Sequence, residues 1–324
     1  LALACALSLF TLPARPAEPG AHAQAAPQAT PAAASAAATA PVQHLVLGIF
    51  PYLEAGLLKR RLQPLADYFT ERLPGVVVEL RVLPRDELQN AIAANQLDLV
   101  LTNPSQYLEL RSRNTLTGAL ATLVRQQGDL STSSAGGAIV VRADSPVQAL
   151  GDLRGRRIVA PRGRGLAAYQ AQAFELQQAG VEVGSDATLE LTNGQHEAVR
   201  AVVEGRADVA FVRAGFLEDR EAMAGLDPQG LRVVHPQRLS GFPYQVSTRL
   251  YPEWPLLALP HVDHALVRRV AAAALSLPAD HPAARAAGIA GFDPPADYLP
   301  VERLARALRA APYDQVPTVR LRDL

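Results

Sequence analysis

The feature that most constrains this chain is an alternation of short apolar runs with amphipathic stretches, and it occurs twice. Residues 44–50 (HLVLGIF) form an unbroken apolar, β-branched run and predict a buried strand. In residues 57–73, Leu58, Leu62, Leu65, Ala66, Phe69 and Leu73 recur at spacings of three and four, the signature of a helix with one buried face. A strand over 76–83, a helix over 85–94 and a strand over 97–102 (LDLVLT) follow. The order then restarts, with strands at 157–160, 187–191 and 207–212 (ADVAFV) and helices at 166–179 and 195–204 between them. Apolar strands separated by helices imply a largely parallel sheet covered on both faces. Further strands are predicted at 119–124, 138–141 and 231–235, and helices at 260–276 and 301–309, with a Gly/Pro-rich stretch over 288–300. Two α/β lobes of similar topology are the expected architecture. Asp98 and Asp208 occupy equivalent places just before the third strand of each unit, where turn or capping roles suit them.

Charge and cysteine narrow the function. Thirty-one basic side chains balance 31 acidic ones, so the footprint of a nucleic-acid binder is missing. The one cysteine, Cys5, lies in an apolar run of about a dozen residues, shorter than the roughly 20 a bilayer requires. With Ala21-His22-Ala23 behind it, residues 1–23 read as a secretory signal peptide. The exported chain then has no thiol for a disulfide, a metal or a nucleophile. Residues 24–43 carry no charge and no aromatic side chain and read as a disordered tether. The expected organisation is lobe one from 44–135 plus 240–314, lobe two from 136–239, and a C-terminal extension over 315–324. Crossings between the lobes are expected near 131–138 and 235–241.

Chemistry-bearing residues gather where strands end. Asn103 and Pro104 follow the LDLVL strand and suit the N-cap and first turn of a helix, whose free N–H groups favour an anion beyond the strand ends. Ser105, Gln106 and Tyr107 continue that turn. In lobe two the Gly-rich turn before Gly165, Leu166 and Tyr169 presents backbone N–H groups without being a phosphate-binding GxxxxGK[ST] loop. Asn193 is the expected N-cap of the next helix, which carries His196. Arg213 directly follows ADVAFV, a permanent charge able to neutralise an anion. Tyr52, after the first strand, would flank the same cleft. No HExxH or GxSxG motif occurs, and the histidines are scattered, so neither a metal nor a cofactor is expected.

Five segments carry a resemblance: LVLGIFPY (45–52), LQPLADYFTERL (62–73), NQLDLVLTNPSQY (95–107), LGDLRGRRIVAP (150–161) and HEAVRAVVEGRADVAFVRAGFLE (196–218). Together they resemble the phosphate, phosphite and phosphonate type of periplasmic solute-binding proteins, a branch of the type II binding-protein fold. The resemblance implies two lobes, a hinge of two crossovers, and a small anion held in the cleft; the residues expected to line it are Tyr52, Asn103, Ser105, Gln106, Tyr107, Gly165, Leu166, Tyr169, His196 and Arg213. It implies a periplasmic monomer serving an ABC permease. The runs STRLYPEWP (247–255) and YQAQAFEL (169–176) also resemble periplasmic sensor regions of histidine kinases, which makes a sensing ectodomain or kinase partner the alternative. Phosphonate binders usually open the second-lobe helix with hydroxyl side chains; Gly163-Arg164-Gly165-Leu166 has none, so the class carried over is an oxyanion or related metabolite. An enzyme on the same fold is the third alternative, and hydroxymethylbilane synthase-like members need a cysteine that the exported chain lacks.

Overall fold

A computed structural model describes residues 42–116 and 118–315. The segments expected to be a signal peptide (1–23) and a tether, the latter as far as residue 41, and residues 316–324 lie outside the described residues; Gln43, expected to end the tether, already belongs to a strand. The first element is β1 (Gln43–Ile49), followed by α1 (Ala55–Arg72), β2 (Val76–Val82), α2 (Arg85–Ala93), β3 (Leu99–Leu101) and α3 (Pro104–Arg113). Then come β4 (Ala119–Gln127), β5 (Leu130–Thr132), β6 (Ser134–Ala135), β7 (Gly137–Arg142) and β8 (Arg157–Pro161). A π-helical turn, Leu166–Gln170, leads into α4 (Ala171–Gln178), and β9 (Thr188–Thr192), α5 (Gln195–Val203), β10 (Val209–Arg213) and β11 (Leu231–Val234) follow. The chain closes with β12 (Tyr251–Pro252), β13 (Pro255–Ala258), α6 (His264–Leu275), α7 (Pro282–Ala287), β14 (Ile289–Asp293) and α8 (Leu299–Ala307).

These strands build two sheets. One runs β14-β4-β13-β3-β1-β2, with β5 on β4; the other runs β11-β7-β10-β8-β9. Their logic is shared. In each, the first two strands and the third pair in parallel, and an antiparallel strand then follows the third. The sheets are therefore mixed, not largely parallel as the strand and helix alternation implied. The cause is β13, β14 and β7: β13 runs antiparallel to both β3 and β4, β14 to β4, and β7 to both β10 and β11. β12, β13, β14 and α7 were not foreseen. Pro255–Ala258 is four uniformly buried residues and offers no period to recognise.

The continuous apolar runs are explained by burial on both faces. In β10, Val209 and Phe211 enter one core cluster while Ala210 and Val212 enter the cluster on the opposite face. In β3, Leu99 and Leu101 face one cluster and Val100 the other. The two aspartates act alike. Asp98 Oδ2 accepts from Val46 N at 2.7 Å and Asp208 Oδ2 accepts from Arg157 N at 2.8 Å, so each fixes its strand to the neighbouring one.

The two sheets are joined by little backbone. β6 and β12 pair only with each other, as two residues against two. Ser247 N donates to Gly137 O and Ser247 Oγ to Val234 O, so the returning chain stays with the second sheet beyond the expected crossing at 235–241 and leaves it after Thr248. Gly137 sits at this junction, where an added Cβ would lie 2.3 Å from the Gln172 amide. That amide donates to Val212 O at 2.8 Å. Phe211 is fully buried between β7, β8 and the helices. Phe211→Ala is expected to lower unfolding free energy by about 3–5 kcal/mol, read by chemical denaturation; a loss under about 1 kcal/mol would mean that the second sheet's core does not depend on this ring.

Candidate functional site

The carboxyl ends of β1, β3, β4, β8 and β10 face a cleft between the two sheets. At its floor lies a charge cluster. Arg213 ends β10, and its backbone N donates to Gln195 Oε1 at 2.7 Å. Its Nη2 donates across the cleft to Glu253 Oε1 at 2.7 Å. Glu253 is 1 % exposed and also receives Arg125, whose Nε stands 3.3 Å from the same Oε1 without hydrogen-bond geometry. Two guanidinium groups thus share one carboxylate. Burying unmatched charge costs several kcal/mol.

Three of the guanidinium nitrogens have no hydrogen-bond partner in the protein: Arg125 Nε, Arg125 Nη2 and Arg213 Nη1. Burial and the like charge of Arg125 push Arg213 below its ordinary pKa. Burial also works against Arg125, but the oxygens of Tyr52 and Glu253 outweigh it and hold its charge firmly. The Tyr52 ring supports both groups. The Arg125 Cζ lies 5.1 Å and the Arg213 Cζ 5.6 Å from its centroid, and its edge meets Trp254 at 4.9 Å. Gln195 ties the elements together, because its Nε2 donates to Tyr52 O at 3.1 Å while its Oε1 holds Arg213.

The guanidinium groups line a cavity of about 570 Å³ bounded by both lobes. Arg60, Arg61, Arg220 and Arg285 add positive charge; Glu218, Asp219 and Glu221 add negative. Gly215 has φ +89°, a left-handed conformation, and an added Cβ would come within 3.0 Å of Tyr244, so glycine is required where this wall turns. At the mouth Arg61 grips the other lobe. It meets Asp219 in a bidentate pair at 2.7 and 2.9 Å and donates to Glu221 through Nε at 2.9 Å. Among the described residues no cluster of His, Asp or Glu is arranged to hold a metal ion.

The residues singled out from sequence are distributed unevenly. Tyr52 and Arg213 meet in the charge cluster. Asn103, Ser105, Gln106 and Gly165 also come together, in a tight seam between the lobes that leaves only about 10 Å³ of free space. There Ser105 Oγ donates to Gln170 Oε1 at 2.6 Å, closing one lobe on the other. Asn103 caps α3 by accepting from Gln106 N, with Pro104 in the first turn. Tyr107 and Leu166 are core residues, and neither lines these cavities. Tyr169 leans on Phe211 in a separate hollow, and His196 binds Ala224 O at 2.9 Å. Asn193 does not cap α5. Gly194 holds that position, and Asn193 N instead donates to Glu197 Oε2 at 2.8 Å. Arg125, Gln195, Tyr244 and Glu253 were missed.

Two mixed sheets, a two-strand connection and a cationic cleft define a type II periplasmic binding-protein fold. Residues 47–298 match the family described as the periplasmic substrate-binding protein of phosphonate ABC transporters, and the chain belongs to that family. The tetrathionate sensor histidine kinase TtrS of Salmonella typhimurium is 28% identical over 218 residues, 67% of this chain and 37% of that protein, so the chain spans little more than a third of that relative's length. Solved structures share the fold. PhnD1 from Prochlorococcus marinus, in complex with methylphosphonate, superposes with a TM-score of 0.65 at 15% identity, covering 82% of this chain and 98% of that one. A binding-protein component of a phosphonate ABC transporter from Pseudomonas aeruginosa gives 0.66 at 12%, covering 82% and 87%. A Xanthomonas citri protein bound to ATP gives 0.65 at 21%, covering 82% and 96%. Among the described residues no helix is long and apolar enough to cross a membrane.

Two outcomes follow from this geometry. Arg61→Ala should open the unliganded cleft, raising the radius of gyration in small-angle scattering and weakening ligand affinity in proportion to the lost closed population; identical scattering would remove Arg61 as a latch. Burial raises the Glu218 carboxyl above its ordinary pKa, so its negative charge leaves the cavity earlier on acidification than a free carboxylate's would. Anion affinity should therefore rise as pH falls through that raised value, and Glu218→Gln should flatten the rise in titrations across pH.

Proposed function

We propose that the chain is a periplasmic solute-binding protein that captures a small oxyanion between its lobes, without chemistry, and delivers it to an ABC permease. The observation that carries this is the set of three buried guanidinium nitrogens that make no hydrogen bond within the protein, shared between Arg125 of one lobe and Arg213 of the other. An oxyanion placed there accepts charge-assisted hydrogen bonds from both lobes and offsets the excess positive charge. Closure is then favoured by the difference in ligand affinity between closed and open forms. Phosphonate, phosphite and related oxyanions fit these donors. The lobe boundaries we propose lie at the β6 and β12 connection. Asn103, Ser105 and Gly165, beside the cleft, act as the closing seam, and the protein works as a monomer.

A second reading has its own observation: the similarity to TtrS supports a sensing ectodomain, or a partner of a histidine kinase, in which the closed cleft signals occupancy. The cleft chemistry is the same in both, and tetrathionate belongs in the ligand panel.

The test is isothermal titration with methylphosphonate, phosphite, phosphate, sulfate and tetrathionate. Arg125→Met and Arg213→Ala should each weaken binding by about 1.5–3 kcal/mol, the range for hydrogen bonds to charged groups. Glu253→Gln removes the competing carboxylate at nearly constant shape and should strengthen it. Full affinity in both arginine variants, with their melting curves intact, would refute capture at this cluster. Turnover of a bound ligand would point instead to an enzyme.

A further inference from the structure

The cleft has a second chamber that the oxyanion reading leaves unused. It encloses about 520 Å³ on the far side of Tyr52, and Phe50, Pro51, Leu53, Ala168 and Phe216 make its walls mainly hydrocarbon. The two chambers adjoin: Tyr52, Leu53, Leu57, Phe216 and Glu221 line both, so a ligand that passed the Tyr52 ring would span them. Gln195 also faces this chamber while holding the Arg213 backbone. The exposed side chains of Arg162 and Arg164, with those of Glu54, Glu197 and Glu221, also line this chamber, so charge of both signs stands beside its apolar wall. An inorganic oxyanion would fill only the cationic chamber and leave the other to water against hydrocarbon, which is unfavourable by about 25 cal/mol per Å² of apolar surface.

We propose that the ligand is an organic oxyanion with an apolar substituent of several carbons, its anionic head on Arg125 and Arg213 and its substituent in the chamber between Leu53, Phe216 and Ala168. This rests on the oxyanion reading above and adds the class of substituent. Amphipathic ligands of this kind match sites in which a few placed polar groups orient the ligand and hydrocarbon walls supply the rest.

The experiment is titration of the full chain with n-alkylphosphonates from methyl to hexyl, with n-hexanol as the headless control. Affinity should rise about fourfold for each methylene buried, the factor expected for one CH₂ leaving water, while hexanol binds far more weakly than hexylphosphonate. Ala168→Phe fills the apolar chamber and should abolish the chain-length gain while methylphosphonate still binds; Ala168→Leu, a smaller intrusion, should shorten the longest chain that gains. Methylphosphonate binding that is not improved by longer chains would overturn the substituent assignment and leave oxyanion capture standing. Hexanol binding as tightly as hexylphosphonate would overturn it as well. Failure of every anion to bind would bring down the oxyanion reading and this inference together.

Discussion

Two guanidinium groups set against one carboxylate are the constraint around which this cleft is organised. Glu253 alone cannot satisfy both Arg125 and Arg213, and among the described residues no second carboxylate pairs with either of them. The excess positive charge is instead supported by the Tyr52 ring, by the Gln195 amide and by the backbone geometry at the end of β10. Each support comes from a different element. The cluster therefore exists only when both sheets are in place and facing one another, and the residues that hold the lobes together are the ones we propose recognise the ligand.

Much of the scaffold was legible in the sequence because it is local. The run VAFV (209–212) is apolar at every position since β10 is covered on both faces, and a property of four consecutive residues can be seen in four letters. Asn103 and Pro104 mark the start of α3 for the same reason. The equivalence of Asp98 and Asp208 also survives, because each clamps the strand beside it. β13 was hidden by its brevity, and its insertion between β3 and β4 makes the sheet mixed.

The floor of the cleft was only half legible. Arg213 announces itself at the end of an apolar strand, and Tyr52 follows the first one. Arg125 sits in TLVRQQ, where an arginine looks like any surface residue near the end of a strand. Glu253 lies in YPEWP, 128 residues away, and its importance comes wholly from the fold that brings it to Arg125. The signal that was available is the TrpGlu pairing beside two prolines, an acid inside an apolar turn. At α5 the residue that joins the charge cluster is Gln195, whose amide spans Tyr52 O and the Arg213 backbone N, while its neighbour His196, bonded to Ala224 O, lines the adjoining chamber.

The narrow ribbon of β6 and β12 has a further meaning. Because so few backbone bonds connect the sheets there, the closure we propose would turn one lobe against the other about that ribbon as a door turns on its jamb, and its angle would be open to outside surfaces to read. A permease or a receptor that rests on both lobes would register occupancy without touching the guest. On the two readings proposed above, import and signalling would be two listeners to a single rotation.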